Sequence, residues 1–144
     1  MNKYKVLVLC TGNSARSQMA EGILRWLSKG EMEVHSAGTH PSQVHPFAIA
    51  VMKELGVDIS GQRSKSVDEF KSEKFDTVIT VCDLANESCP IFPGAPERIH
   101  FSFEDPAAAE GADEEKLKTF RRVRDELLQR LRLFLNTRQQ HREE

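Results

Sequence analysis

The sequence predicts a single α/β domain built from βαβ units. Strand-like apolar runs alternate with stretches of helical periodicity, and no low-complexity linker or internal repeat breaks the alternation. Size agrees, because 144 residues fill one core well and two poorly.

The first strand is Val6-Leu7-Val8-Leu9-Cys10, apolar at successive positions, as a strand buried on both faces must be. Residues 17–27 follow as a helix. Met32 to Gly38 is a short strand closing on glycine, and Pro46 opens a second helix. Phe47, Ala48, Ile49, Val51, Met52 and Leu55 give that helix one apolar face, and Gly56 stops it. Residues 75–82 form a β-branched run suited to a central parallel strand, and 98–103 supply a fourth. The last helix starts at Asp113 as its N-cap and places Leu117, Phe120, Val123, Leu127, Leu131 and Phe134 at helical spacing. The domain therefore spans 1–136, with 137–144 as a polar, frayed tail.

Composition excludes several classes. A formal charge of −2 offers no global basic field for nucleic acid or an anionic membrane. No apolar run approaches the roughly 20 residues of a membrane span, and the N-terminus lacks the pattern of a secretory signal. Three cysteines, an odd and low count, argue for reduced thiols and a cytoplasmic setting over a secreted disulfide framework. Modest size without a surplus apolar face suggests a monomer. The five histidines lack ligand spacing, so no metal site is expected.

Chemistry concentrates where the first strand ends. Cys10-Thr11-Gly12-Asn13-Ser14-Ala15-Arg16-Ser17 couples a strand to a Cys-x5-Arg-Ser loop and then to a helix. Backbone N–H groups of Thr11, Gly12, Asn13, Ser14, Ala15 and Arg16 can turn inward around a tetrahedral anion, and the Arg16 fork can hold two of its oxygens. The helix N-terminus points at the same anion and sulfur, which favours a thiolate at Cys10. Core packing would explain Cys10 alone but not Arg16 and Ser17 in this order. Ser17 is placed to hydrogen-bond the thiolate, although a helix N-cap is the simpler role for a serine there.

Cys82 ends the strand of residues 75–82 and is followed, after six residues, by Cys89. In an open parallel sheet ligands bind beyond the C-terminal strand ends, where Cys10 and Cys82 can meet. An oxyanion trap plus three thiols is the set needed for a two-electron reduction by sulfur. Cys10 would attack a trapped arsenate, Cys82 would attack the adduct sulfur so that arsenite leaves, and Cys89 would carry the disulfide outward to an external dithiol. Asp105, in Phe103-Glu104-Asp105-Pro106 after the fourth strand, is the candidate acid for the departing oxygen; Asp-Pro is equally a turn signal.

These segments, together with Gln18-Met19-Ala20-Glu21-Gly22 and Ser36-Ala37-Gly38-Thr39, resemble the thioredoxin-coupled arsenate reductases, a branch of the low-molecular-weight protein tyrosine phosphatase fold. The resemblance spans nearly the whole chain. It implies a four-stranded parallel sheet with helices on both faces. It makes Cys10 the nucleophile, Arg16 the oxyanion ligand, Ser17 the thiolate stabiliser, Asp105 the general acid, Cys82 with Cys89 the redox relay, and thioredoxin the electron donor. No bound cofactor is implied. Some relatives carry another cysteine where Ala15 stands; three thiols suffice for the relay. In some, potassium sits among residues matching Asn13, Glu21 and Ser36 and an acidic residue near the position of Lys65. Lys65 stands against that ion here, its ammonium replacing the cation's charge beside Glu21.

The nearest rival is a phosphatase, which needs only Cys10, Arg16 and Asp105. Phosphatases of this fold tend to place an aromatic beside the Asp-Pro and a proline after the loop serine, where this chain has Ala107 and Gln18. Weak phosphatase activity is expected as a side reaction. A non-catalytic anion sensor, with a Cys82–Cys89 switch, is the rival from another class.

Overall fold

A computed structural model of the chain describes residues 3–83, 87, 91–93 and 95–143, with side chains described as far as Arg138. Four strands, β1 (Tyr4–Cys10), β2 (Met32–Gly38), β3 (Thr77–Thr80) and β4 (Glu97–His100), form one sheet in the order β2-β1-β3-β4. All three pairings are parallel. The helices are α1 (Arg16–Leu27), α2 (Pro46–Lys53) and α3 (Asp113–Glu143). Two short 3-10 turns lie at Val67–Phe70 and Pro106–Ala108.

Alternation along β1 explains its continuous apolar run. Val6, Val8 and Cys10 join the core beneath α1, α2 and α3, while Leu7 and Leu9 face Ala37, Phe70, Phe75, Val78 and Phe92 on the other side. Helical cover is therefore unequal. Three α-helices share one face and, among the described residues, the 3-10 turn at Val67–Phe70 serves the other. The parity of β1 also aims the Cys10 side chain at α1.

Helix α3 lays Phe120, Val123, Leu127, Leu131, Phe134 and Leu135 into the larger core. Arg124, nearly buried, donates to the Val51 carbonyl at 2.8 Å and to Glu54 at 2.7 Å, which locks α3 onto α2. Helix α2 begins as expected, with Pro46 in its first turn and the His45 side chain accepting from Phe47 N–H.

Four expectations shift. The run 75–82 is a strand only over Thr77–Thr80, and the fourth strand is Glu97–His100 rather than 98–103, because pairing partners end there. Asp113 is the first residue of α3 rather than its cap. The helix also continues through the segment read as a frayed tail, to Glu143. Arg138, paired with Glu97 and lying 4.7 Å from the Phe134 ring centroid, holds the beginning of that segment to the domain. Among the described residues, no helix is long and apolar enough to cross a membrane.

The end of β2 touches the loop after β1. A Cβ at Gly38 would lie 2.4 Å from the Thr11 carbonyl oxygen and 2.9 Å from Asn13 N, so only glycine lets the two backbones approach this closely. Gly38→Ala is expected to cost about 3 kcal/mol in urea unfolding by overpacking. Gly61→Ala, with nothing within 4 Å of its Cβ, should stay within about 0.5 kcal/mol of the native protein.

Candidate active site

The site begins with loop carbonyls turned outward. Thr11 O accepts from His40 N–H at 2.9 Å, Ser14 O from His45 N–H at 2.9 Å, and Gly12 O from the Ser64 hydroxyl at 3.2 Å. In a planar trans peptide the N–H points opposite to its C=O. Tying Thr11 and Ser14 carbonyls to the outer segment thus turns the following Gly12 and Ala15 N–H groups toward the hollow of the loop. The N-terminus of α1 opens onto the same hollow, capped by Ala15 without a side-chain bond.

Asn13 sets the loop's course. Its φ of 45° is left-handed, a conformation asparagine tolerates, and the residue is fully buried. Lys65 N–H can only donate, so the Asn13 atom 2.9 Å away is the acceptor Oδ1. The amide nitrogen then faces two serines, donating to Ser17 Oγ at 2.8 Å and Ser36 Oγ at 2.9 Å. Ser36 passes its own hydrogen to Glu21 Oε1 at 2.7 Å. By the same logic Ser17, already receiving an N–H, has its hydrogen left for Cys10 Sγ, 2.8 Å away. Ser17 is thus a partner of the sulfur and not the N-cap.

Cys10 is a free, buried thiol at the floor of the loop. Arg16 stands at the mouth, 3% exposed along its side chain, with Nη1 donating to the Phe103 carbonyl at 3.1 Å. Burial alone would depress the Arg16 pKa, but the bonded Glu87 carboxylate and nearby Cys10 and Asp105 hold it above its ordinary value. Asp105 Oδ2 lies 3.8 Å from Arg16 Nη2, while its Oδ1 accepts from Ala107 N–H at 3.0 Å. Turn and site residue are therefore the same carboxylate.

Cys82 is fully buried two residues beyond the end of β3, its sulfur 4.0 Å from the Leu9 carbonyl oxygen, and it is disulfide-bonded. Cys89 lies outside the described residues.

Several contributors carried no clear sequence signal. Gln18, given no role of its own by the sequence, donates to the Asn13 carbonyl at 3.1 Å and to its Oδ1 at 2.9 Å. His45, one of the five histidines without ligand spacing, lies 4.7 Å from the Phe120 ring centroid, and its backbone N–H fixes Ser14. Burial holds its pKa below the ordinary value, and because the Phe47 N–H can only donate, Nδ1 is the accepting nitrogen. Glu87 was missed altogether. Its carboxylate accepts from both Arg16 nitrogens, with Oε2 at 3.0 Å from Nη2, and from the Thr11 hydroxyl at 3.0 Å.

Lys65, nearly buried, places Nζ 3.7 Å from Glu21 Oε1 and 2.9 Å from the Arg63 carbonyl. Burial pushes its pKa down, opposed by Glu21. Arg25 adds a second cation 3.0 Å from Glu21 Oε2. Glu21 is thus already neutralised from both sides. Among the described residues, no group of three or more His, Cys, Asp or Glu side chains is arranged to hold a metal.

Residues 5–144 match the low molecular weight phosphotyrosine protein phosphatases. The chain belongs to that family. An arsenate reductase of Halalkalibacterium halodurans is 49% identical over 137 residues, 95% of this chain and 99% of that protein. A solved arsenate reductase in a phosphate-binding state superposes with a TM-score of 0.76 at 35% identity, covering 93% of this chain and 98% of its own. A thioredoxin-dependent arsenate reductase of Corynebacterium glutamicum gives a TM-score of 0.60 at 28% identity, over 91% of this chain and 63% of that one. Within this phosphatase family, the Ser17 bond to sulfur is the feature most open to direct test. Ser17→Ala should slow iodoacetamide alkylation of Cys10 about tenfold, because the hydroxyl hydrogen-bonded to the reacting sulfur is gone.

Proposed function

We propose that the chain reduces arsenate to arsenite through a relay of Cys10, Cys82 and Cys89, with thioredoxin as the external donor. The observation that carries this reading is Cys82, a buried and disulfide-bonded cysteine just beyond β3, the strand paired with the one that ends in Cys10. A hydrolase on the same loop has no use for it. A free Cys10 beside an oxidised Cys82 is the pattern expected once the disulfide has moved off the nucleophile. The arsenate reductases among its relatives, one of them thioredoxin-dependent, support the same substrate and donor.

The chemistry balances in three steps. Cys10 Sγ attacks arsenic held by the loop and Arg16, an arsenic–oxygen bond breaks, and the oxygen leaves as water with a proton from Asp105. Arsenic is still pentavalent. A Cys82 thiolate then attacks Cys10 Sγ; the sulfur–sulfur bond forms as the sulfur–arsenic bond breaks, and arsenic departs with the electron pair as arsenite. Cys89 displaces Cys10 from that disulfide, and two electrons from a dithiol restore the thiols.

Ser17 and the α1 N-terminus favour the attacking thiolate, and Arg16 neutralises the pentavalent adduct. We infer as well that Lys65 and Arg25 replace any bound cation behind the loop.

With thioredoxin, thioredoxin reductase and arsenate, NADPH oxidation should fall at least a hundredfold in each of Cys10→Ser, Cys82→Ser and Cys89→Ser. Brisk aryl phosphate cleavage that needs Cys10 alone, without arsenate turnover, would make the protein a phosphatase instead. Turnover and Tm should be equal in potassium and sodium salts; a clear potassium requirement would remove the role given to Lys65.

A further inference from the structure

The Arg16 fork is occupied by a carboxylate of the chain itself. Glu87 faces the guanidinium edge-on, one oxygen toward each terminal nitrogen, as two oxygens of a tetrahedral anion would. Thr11, at the mouth of the loop, donates its hydroxyl to the same carboxylate, and Asp83 N–H donates to Oε1 at 2.6 Å. The Glu87 side chain is 17% exposed and Arg16 3%, so the pair excludes most water. Desolvation would raise the Glu87 pKa, but Arg16 and the Asp83 N–H outweigh it and keep the group ionised.

The anchoring residue, Asp83, directly follows Cys82, and Cys82 is disulfide-bonded in this same arrangement. In this arrangement the fork is filled and Cys82 is disulfide-bonded. We propose that Glu87 is an internal anion that fills the oxyanion site while Cys82 is oxidised, so that oxyanions must displace it to reach Arg16. The chemical sense is direct. An enzyme whose Cys82 is in a disulfide has no thiolate there to resolve a Cys10–arsenic adduct, and a filled fork prevents that adduct from forming.

The inference rests on the reading of residues 10–16 as the oxyanion site, and its test separates the two. Inorganic phosphate is titrated calorimetrically into the disulfide form of the full chain, as native protein, Glu87→Gln, Glu87→Ala and Arg16→Ala. If the plugged arrangement outnumbers the open one about tenfold, the apparent native Kd is raised about tenfold, and both Glu87 variants should recover that factor. Using two variants guards against one that misfolds, and far-ultraviolet circular dichroism checks each. Equal phosphate affinity in native protein and both Glu87 variants, with binding lost in Arg16→Ala, overturns the internal anion but keeps the site. Binding absent from every form, or indifferent to Arg16, overturns the site and the inference together.

Discussion

Everything at the active site depends on the buried carboxamide of Asn13. Its Oδ1 accepts from Lys65 N–H and from Gln18, and its Nδ2 donates to Ser17 and Ser36. All of its hydrogen-bonding capacity is thereby spent, in a place where an unmet polar group would be costly. Because the backbone N–H of Lys65 fixes which end of the amide is oxygen, it also fixes which way both serine hydroxyls point. One hydrogen goes to Cys10 and the other to Glu21. A left-handed φ at the same residue bends the loop, so geometry and proton order come from one side chain.

Charge is arranged in two layers around that amide. In front of it, Arg16 and the α1 N-terminus face the Cys10 sulfur and the hollow of the loop. Behind it, the buried Glu21 is balanced by Lys65 and Arg25. Buried carboxylates are tolerated only when paired, and the pairing here comes from side chains of the chain itself. The cationic front invites any carboxylate within reach, and Glu87 has accepted the invitation.

Much of this was readable from residue order. The apolar run before Cys10, the spacing to Arg16, and the proline and glycine bracketing α2 are local signals, since strand period, capping and turn chemistry act over a few residues. Asp105 was legible for the same reason, because its place after the fourth strand put it at the correct end of a parallel sheet. Strand ends were less legible: residues 75–76 and 81–82 have strand composition, yet the ladder with β4 covers only Thr77–Thr80. The helix beyond residue 136 looked too polar to persist, but Arg138 binds Glu97, a partner 41 positions away.

Sequence order alone therefore establishes the αβ alternation, the strand-end Cys10 with Arg16 six residues on, and the presence of two further thiols, all encoded by neighbours along the chain. The fold had to bring in the rest. Gly38 against Thr11, Gln18 and Lys65 on Asn13, and Glu87 on Arg16 join residues whose chemistry is ordinary in isolation. Their roles arise because burial strengthens hydrogen bonds and charges that water would otherwise screen, and burial is a property of packing.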